Sequence, residues 1–307
     1  MTKLSIPNNH YLCPLASPPY QQVAPRDGFG EGLVMLGQTN TQVVALTGDL
    51  VESTRVQKFA EAFPERFIEM GVAEQNMAGV AAGLALAGKI PFMTSYAVFS
   101  PGRNWDQIRV SICYSKANVK IIGAHAGISV GPDGATHQAL EDLALTRVLP
   151  NLTVVVPTDS IEARKATLAI AAHQGPCYMR FGREKTPVIT NDKTPFRLGK
   201  ALPILSGRDV TVIATGQMVA KALEAASQLA GQVAVGVINI HTLKPLDTEA
   251  IIEAAKHSGA IVTAEEHQII NGLGAAVAEV LGENYPVPIK RVGVNDTFGE
   301  SGQPATL

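Results

Sequence analysis

Short apolar runs alternate along this chain with longer segments that fit helices. From Asp27 onward, Val43–Leu46, Pro91–Ser95, Val119–Gly123 and Thr153–Val156 read as strands, and Cys177–Phe181 closes the set. Helices fit between them at Gly28–Gly37, Val72–Ala87 and Ser160–His173. Strands alternating with helices predict an α/β fold whose mostly parallel sheet is covered on both faces.

The pattern stops at residues 182–195, GREKTPVITNDKTP, where charge, threonine and proline replace apolar periodicity. This stretch reads as a connection between domains. Beyond it the alternation restarts. Asp209–Ala214, Val233–Ile240, Ala260–Ala264 and Ile289–Val292 read as strands, with helices at Val219–Leu229, Thr248–Lys256 and Gly272–Leu281. A second, smaller α/β domain follows from that pattern. Residues 1–25 hold Pro7, Pro14, Pro18, Pro19 and Pro25 and read as an irregular arm.

Composition narrows the function classes. With 307 residues, 46% hydrophobic and 17% charged, the chain can bury the cores of about two domains. A formal net charge of −2 gives no reason to expect nucleic acid or an anionic membrane as partner. Cys13, Cys113 and Cys177 form no CxxC pair, so neither a zinc site nor a thioredoxin-like motif is indicated, and their odd, sparse count fits a reducing compartment better than a disulfide scaffold. The start, MTKLSIPNNHYLCPL, lacks the pattern of a secretory signal. No apolar run approaches the roughly 20 residues of a membrane span. A soluble, cytoplasmic protein is expected.

Three features could carry chemistry. The segment Gly71–Gly88, GVAEQNMAGVAAGLALAG, reads as a helix of small residues with Glu74 near its start. Alone, that glutamate is explained by the helix dipole. The glycine-rich segment 123–143, GAHAGISVGPDGATHQALEDL, follows a strand and so lies at the carboxyl edge of the sheet, where open α/β sheets bind ligands. It holds His125, Asp133 and His137, a set suited to proton transfer near neutral pH. A solvated turn explains the same residues, and their spacing matches no familiar metal pattern. Arg26, Ser53, Arg180 and Arg183 suit phosphate by residue type, but scattered arginines are usually surface.

GVAEQNMAGVAAGLA, DGATHQALEDLA and VINIHTLKPLD, in this order, resemble the transketolase family from about Arg26 to the end of the chain. The resemblance implies a pyrimidine-binding domain at 26–187, a linker at 188–197 and a transketolase C-terminal domain at 198–307. It implies thiamine diphosphate as cofactor, with Mg2+, and transfer of a two-carbon ketol unit from a ketose phosphate to an aldose. Glu74 stands where the family has its pyrimidine-activating glutamate, though Ala73 and Gln75 replace the usual flanking Arg and His. Tyr96 and Phe99 fall where aromatic rings grip the aminopyrimidine, and SPGRNW intervenes where a third aromatic usually follows. His125, Asp133 and His137 keep the family's sugar-facing spacing, with His137 and His125 assisting proton transfers. Arg26, Ser53 and Arg183 match its phosphate positions, Arg183 aligning better than Arg180.

The family's diphosphate-binding domain, with its GDG motif, has no counterpart in this sequence. The resemblance therefore implies a subunit of a split transketolase. Its N-terminal partner would carry the diphosphate cradle and the Mg2+ ligands, in a two-plus-two heterotetramer acting on sugar phosphates such as pentose phosphates. No metal ligand is expected on this chain. A deoxyxylulose-phosphate synthase-like subunit, a 2-oxo acid dehydrogenase β-like subunit and a non-catalytic partner-binding homologue remain as alternatives. The synthase reads YPRGN where this chain has RFGREKT.

Overall fold

The computed structural model describes Leu12 and residues 20–307. Most of the proline-rich arm, and Cys13, lie outside the described residues. The chain enters through β1 (Gln22–Val23) and α1 (Pro25–Thr39), and continues through β2 (Val43–Thr47), α2 (Gln57–Ala62), β3 (Phe67–Glu69) and α3 (Glu74–Leu86). Then come β4 (Ile90–Tyr96), α4 (Trp105–Gln107) running into a π-helical stretch at Ile108–Tyr114, β5 (Lys120–Ala124), and a 3-10 segment at Ile128–Asp133. The first half closes with α5 (Asp142–Arg147), β6 (Thr153–Val155), α6 (Ser160–Ala172), β7 (Cys177–Arg180) and β8 (Thr186–Pro187).

The second half holds β9 (Leu202–Leu205), β10 (Val210–Ala214), α7 (Met218–Gln228), β11 (Val235–Asn239), β12 (Thr242–Lys244) and α8 (Thr248–Ser258). It ends with β13 (Ile261–Gln268), α9 (Leu273–Asn284) and β14 (Ile289–Val294).

Two mostly parallel sheets result, each flanked by helices. The first has the order β12-β6-β7-β5-β4-β2-β3, and the second β14-β13-β10-β11-β9. Strands β2, β5 and β7 are buried along their whole length, as parallel strands covered on both faces must be. Helices α1 and α6 pack together over one face. Gly28 permits their approach: a Cβ there would lie 1.8 Å from the Ser160 carbonyl oxygen. Asp159 starts α6 as its N-cap, accepting from the Glu162 amide at 2.9 Å. Helix α3 and the π-helical stretch pack on the opposite face.

The two domains share more than a hinge. Strand β12 belongs to the second half by sequence yet pairs antiparallel with β6 at the edge of the first sheet. One apolar cluster runs from Met77, Met93 and Ile121 of the first domain to Ile213, Ile238 and Leu273 of the second. The segment expected as the linker is packed into the structure. Val188, Ile189 and Thr190 are buried, and Asp159 accepts from the amides of Ile189 at 2.9 Å and Thr190 at 2.7 Å. The Thr190 hydroxyl also donates to Asp159, at 2.7 Å. At the amino end, Gln22–Val23 is no loose arm, since β1 pairs antiparallel with β8.

Candidate active site

Glu74 is the first residue of α3, where the free amides of a helix start favour a carboxylate. Its side chain is only 3% exposed, so an ionised form needs partners. Arg103 supplies them: its Nη1 donates to Oε1 and Oε2, each at 3.1 Å. Ser95 Oγ, near the end of β4, lies 3.5 Å from Oε1. The Glu74 carbonyl accepts from Asn104 Nδ2 at 3.2 Å, and Asn104 also donates to Ser100 Oγ. The Arg103 guanidinium sits 4.1 Å from the centroid of the Phe99 ring. Thus the segment read as an interruption, SPGRNW, holds the charge partner of Glu74.

Phe99 continues toward a second group of side chains. The Tyr96 and Phe99 rings are offset-stacked, with centroids 6.0 Å apart. Tyr96 also stacks on His125 at 4.1 Å, and Phe99 meets His137 edge-on at 5.4 Å. His125 follows β5 with φ of +56°, a left-handed conformation that costs a non-glycine residue energy. Strain of this kind is concentrated at functional sites.

The His125 ring is buried, and its pKa falls to about 3, first from burial and then from Arg26 and Arg183. It is neutral at physiological pH. Its Nε2 faces Arg26 Nη1 at 3.5 Å; a guanidinium can only donate, so this nitrogen accepts and Nδ1 carries the proton. That Nδ1 is buried without a protein partner.

Arg26 Nη1 also donates to the Ser53 carbonyl at 3.1 Å. Arg183 Nη1 donates to the Val130 carbonyl at 3.0 Å and lies 3.5 Å from Asp133 Oδ2. Burial, then Arg55 and Arg183, hold the Arg26 guanidinium below its usual value. Arg26, Ser53, His125, Asp133, His137 and Arg183 are thereby drawn into one neighbourhood by contact or mutual electrostatics. Two residues that the sequence reading missed join it: Arg55, paired with Asp27 at 2.6 Å, and Arg103.

Arg180 has a different place. It is 4% exposed, and its Nε lies 2.8 Å from Asp142 Oδ2. Its Nη2 donates to the Glu266 carbonyl at 2.7 Å, joining the two domains. Among the described residues no group of three or more His, Cys, Asp and Glu side chains is arranged to hold a metal ion, and no helix is long and apolar enough to cross a membrane.

Residues 21–188 match the transketolase pyrimidine-binding domain and residues 199–307 the transketolase C-terminal domain. The 6-deoxy-6-sulfo-D-fructose transketolase subunit SqwH of Clostridium sp. is 47% identical, over 90% of this chain and 86% of that protein. Human transketolase is 36% identical over 93% of this chain but only 46% of its own length. A solved structure described as a split gene transketolase, inactive β4 tetramer, is 51% identical with a TM-score of 0.87, covering 92% of each chain. Transketolase of Campylobacter jejuni, 24% identical with a TM-score of 0.78 over 95% of this chain and 45% of that one, shares the fold. The chain belongs to the transketolase family, with the pyrimidine-binding and C-terminal domains of a split transketolase subunit.

Proposed function

We propose that this chain is the pyrimidine-binding subunit of a split transketolase that moves a two-carbon ketol unit from an anionic ketose to an aldose. The observation that carries this reading is the continuous wall from Glu74 through Phe99 and Tyr96 to His125 and His137. It puts a buried carboxylate at one end and a group of histidines and arginines at the other.

The pyrimidine end of thiamine diphosphate fits what is present. Glu74 would hold the aminopyrimidine, and Tyr96 and Phe99 would flank it. When bound, the cofactor supplies the electron sink that ketol cleavage requires. This chain's own groups position and polarise. His125, neutral, offers its Nδ1 proton to a donor oxygen. His137, whose Nδ1 is 2.9 Å from Thr136 Oγ1, keeps Nε2 for proton transfer to the sugar. Asp133 accepts from a sugar hydroxyl. Arg26, Arg183 and the Ser53 hydroxyl hold the terminal anion.

Two relatives are named for a sulfonated fructose and for apulose 4-phosphate, and both names carry an anionic group that arginines suit. The similar chain described as an inactive β4 tetramer supports dependence on a second subunit. That partner would be the N-terminal, diphosphate-binding chain, bringing the Mg2+ ligands, in a two-plus-two assembly in the cytoplasm. Ketol transfer with thiamine diphosphate and Mg2+ tests the reading, with phosphorylated and sulfonated ketose donors, for the chain alone and with its partner. Activity in the mixture alone supports it. Acceptance of pyruvate and of no ketose would favour the synthase-like alternative.

A further inference from the structure

The loop that carries Asp133 and His137 is held from outside its own domain. Ser129 donates its amide to Glu266 Oε1 at 2.5 Å. Gln217 Nε2 donates to Ser129 Oγ at 3.0 Å and also to Glu266 Oε2. Gln138 Nε2 bridges the Ile128 carbonyl at 3.0 Å and the Glu300 carbonyl at 2.9 Å. Glu266, Gln217 and Glu300 all belong to the C-terminal domain.

The packing is as close as the hydrogen bonding. Gly127 has φ of +88°, and a Cβ there would lie 2.3 Å from the Glu266 carboxyl carbon. A Cβ on Gly134, beside Asp133, would lie 2.4 Å from Ser301 Oγ. The loop glycines thus serve two ends: they allow left-handed backbone and they admit C-terminal side chains against it. Burial pushes the Glu266 carboxyl up, against the Ser129 amide and Arg180, which favour its charged form. Arg180 ties the same strand back to the first sheet through the Glu266 carbonyl.

We infer that the C-terminal domain sets the position of the sugar-binding loop, and that Glu266 is the positioning residue through which it does so. The inference rests on the sugar-site role proposed for Asp133 and His137. Glu266 touches neither sugar nor cofactor in this account. It fixes the Gly127–Ser129 turn, from which the loop runs to Asp133 and His137. A loose loop should weaken the donor without weakening the cofactor, because Glu74 and the aromatic wall lie on α3, β4 and the turn after β4.

The experiment compares Glu266→Ala, Glu266→Gln and Gln217→Ala with wild type in the enzyme assembled with its partner, using xylulose 5-phosphate and ribose 5-phosphate. His137→Ala serves as the control for the sugar site. Three quantities are read: amide hydrogen exchange across residues 127–137, donor KM, and thiamine diphosphate affinity by fluorescence quenching. Loss of the carboxyl that accepts from both the Ser129 amide and Gln217 Nε2 is expected to raise donor KM roughly tenfold or more in Glu266→Ala. Loop exchange should quicken, cofactor affinity should hold, and Glu266→Gln, which retains an acceptor, should recover most of the loss. Gln217→Ala should move the same readouts in the same direction by less.

Unchanged loop exchange in both Glu266→Ala and Gln217→Ala overturns the inference. So does faster exchange with unchanged donor KM when His137→Ala raises that KM. A donor KM unmoved by His137→Ala itself overturns the sugar-site reading, and the inference with it.

Discussion

One guanidinium nitrogen of Arg103 bonds both carboxylate oxygens of Glu74 at 3.1 Å, while the rest of that guanidinium lies over the Phe99 ring. The pair is asymmetric. Glu74 is 3% exposed and Arg103 is 49% exposed, so the arginine compensates a charge that water cannot reach. It also fixes the carboxylate against the aromatic wall.

Replacing Arg103 by leucine is therefore expected to destabilise the chain. Breaking a fully buried pair costs 3–5 kcal/mol; with half of Arg103 in solvent, about 1–2 kcal/mol is expected. Urea unfolding at neutral pH measures this. Stability equal to wild type would mean that Glu74 needs no charge partner.

The two arginines on either side of Phe181–Gly182 should separate cleanly. Arg183 is half-exposed beside Asp133, so Arg183→Ala should raise the KM for anionic donors roughly 10–100-fold with little change in stability. Arg180 is buried against Asp142, so Arg180→Ala should cost about 3–5 kcal/mol of folding free energy. Donor kinetics and urea unfolding of both variants decide this. A stable Arg180→Ala with weakened donor binding would reverse the assignment.

Glu162 gives a pH prediction. It is buried in the first turn of α6, accepts from the Thr158 amide at 2.7 Å and from Asn239 Nδ2, and so links α6 to β11. Burial, then Asp159, raises its pKa from 4.5 to about 8. The folded chain therefore binds more protons at this site than the unfolded chain between those values. This contribution is complete below about pH 4.5 and is lost as pH rises through about 8. The unfolding midpoint of Glu162→Gln, relative to wild type, is expected to rise across that window. A pH-independent difference would show that Glu162 titrates normally.

Much of the fold was legible in the sequence. Val43–Leu46, Val119–Gly123 and Cys177–Phe181 are mostly apolar, and they became β2, β5 and β7, which are buried along their length. The missed elements are those with little local pattern. Strands β3 and β12 have three residues each, and β12 exists as a strand because β6 offers an edge from another part of the chain. The buried amides of Ile189 and Thr190 are satisfied by Asp159, 30 residues away from Ile189. No composition count contains such a partner.

Residue types alone left His125, Asp133, His137 and the arginines undecided between chemistry and surface, and the family resemblance singled them out. Arg103 and Glu266 escaped for a physical reason. Each acts through a contact between elements: Arg103 reaches back to α3, and Glu266 reaches across from β13 to a loop in the other domain. Spacing along the chain does not encode such distances.

The most direct test of the account is ketol transfer by the assembled enzyme carrying Glu74→Gln. The variant should still associate with its partner, since the amide keeps the shape of the side chain. Turnover is expected to fall about 10²–10⁴-fold, the range typical of losing a group that handles a proton in the transition state. Turnover near wild type, in an assembled and cofactor-loaded enzyme, would contradict the role of Glu74 and the site built around it.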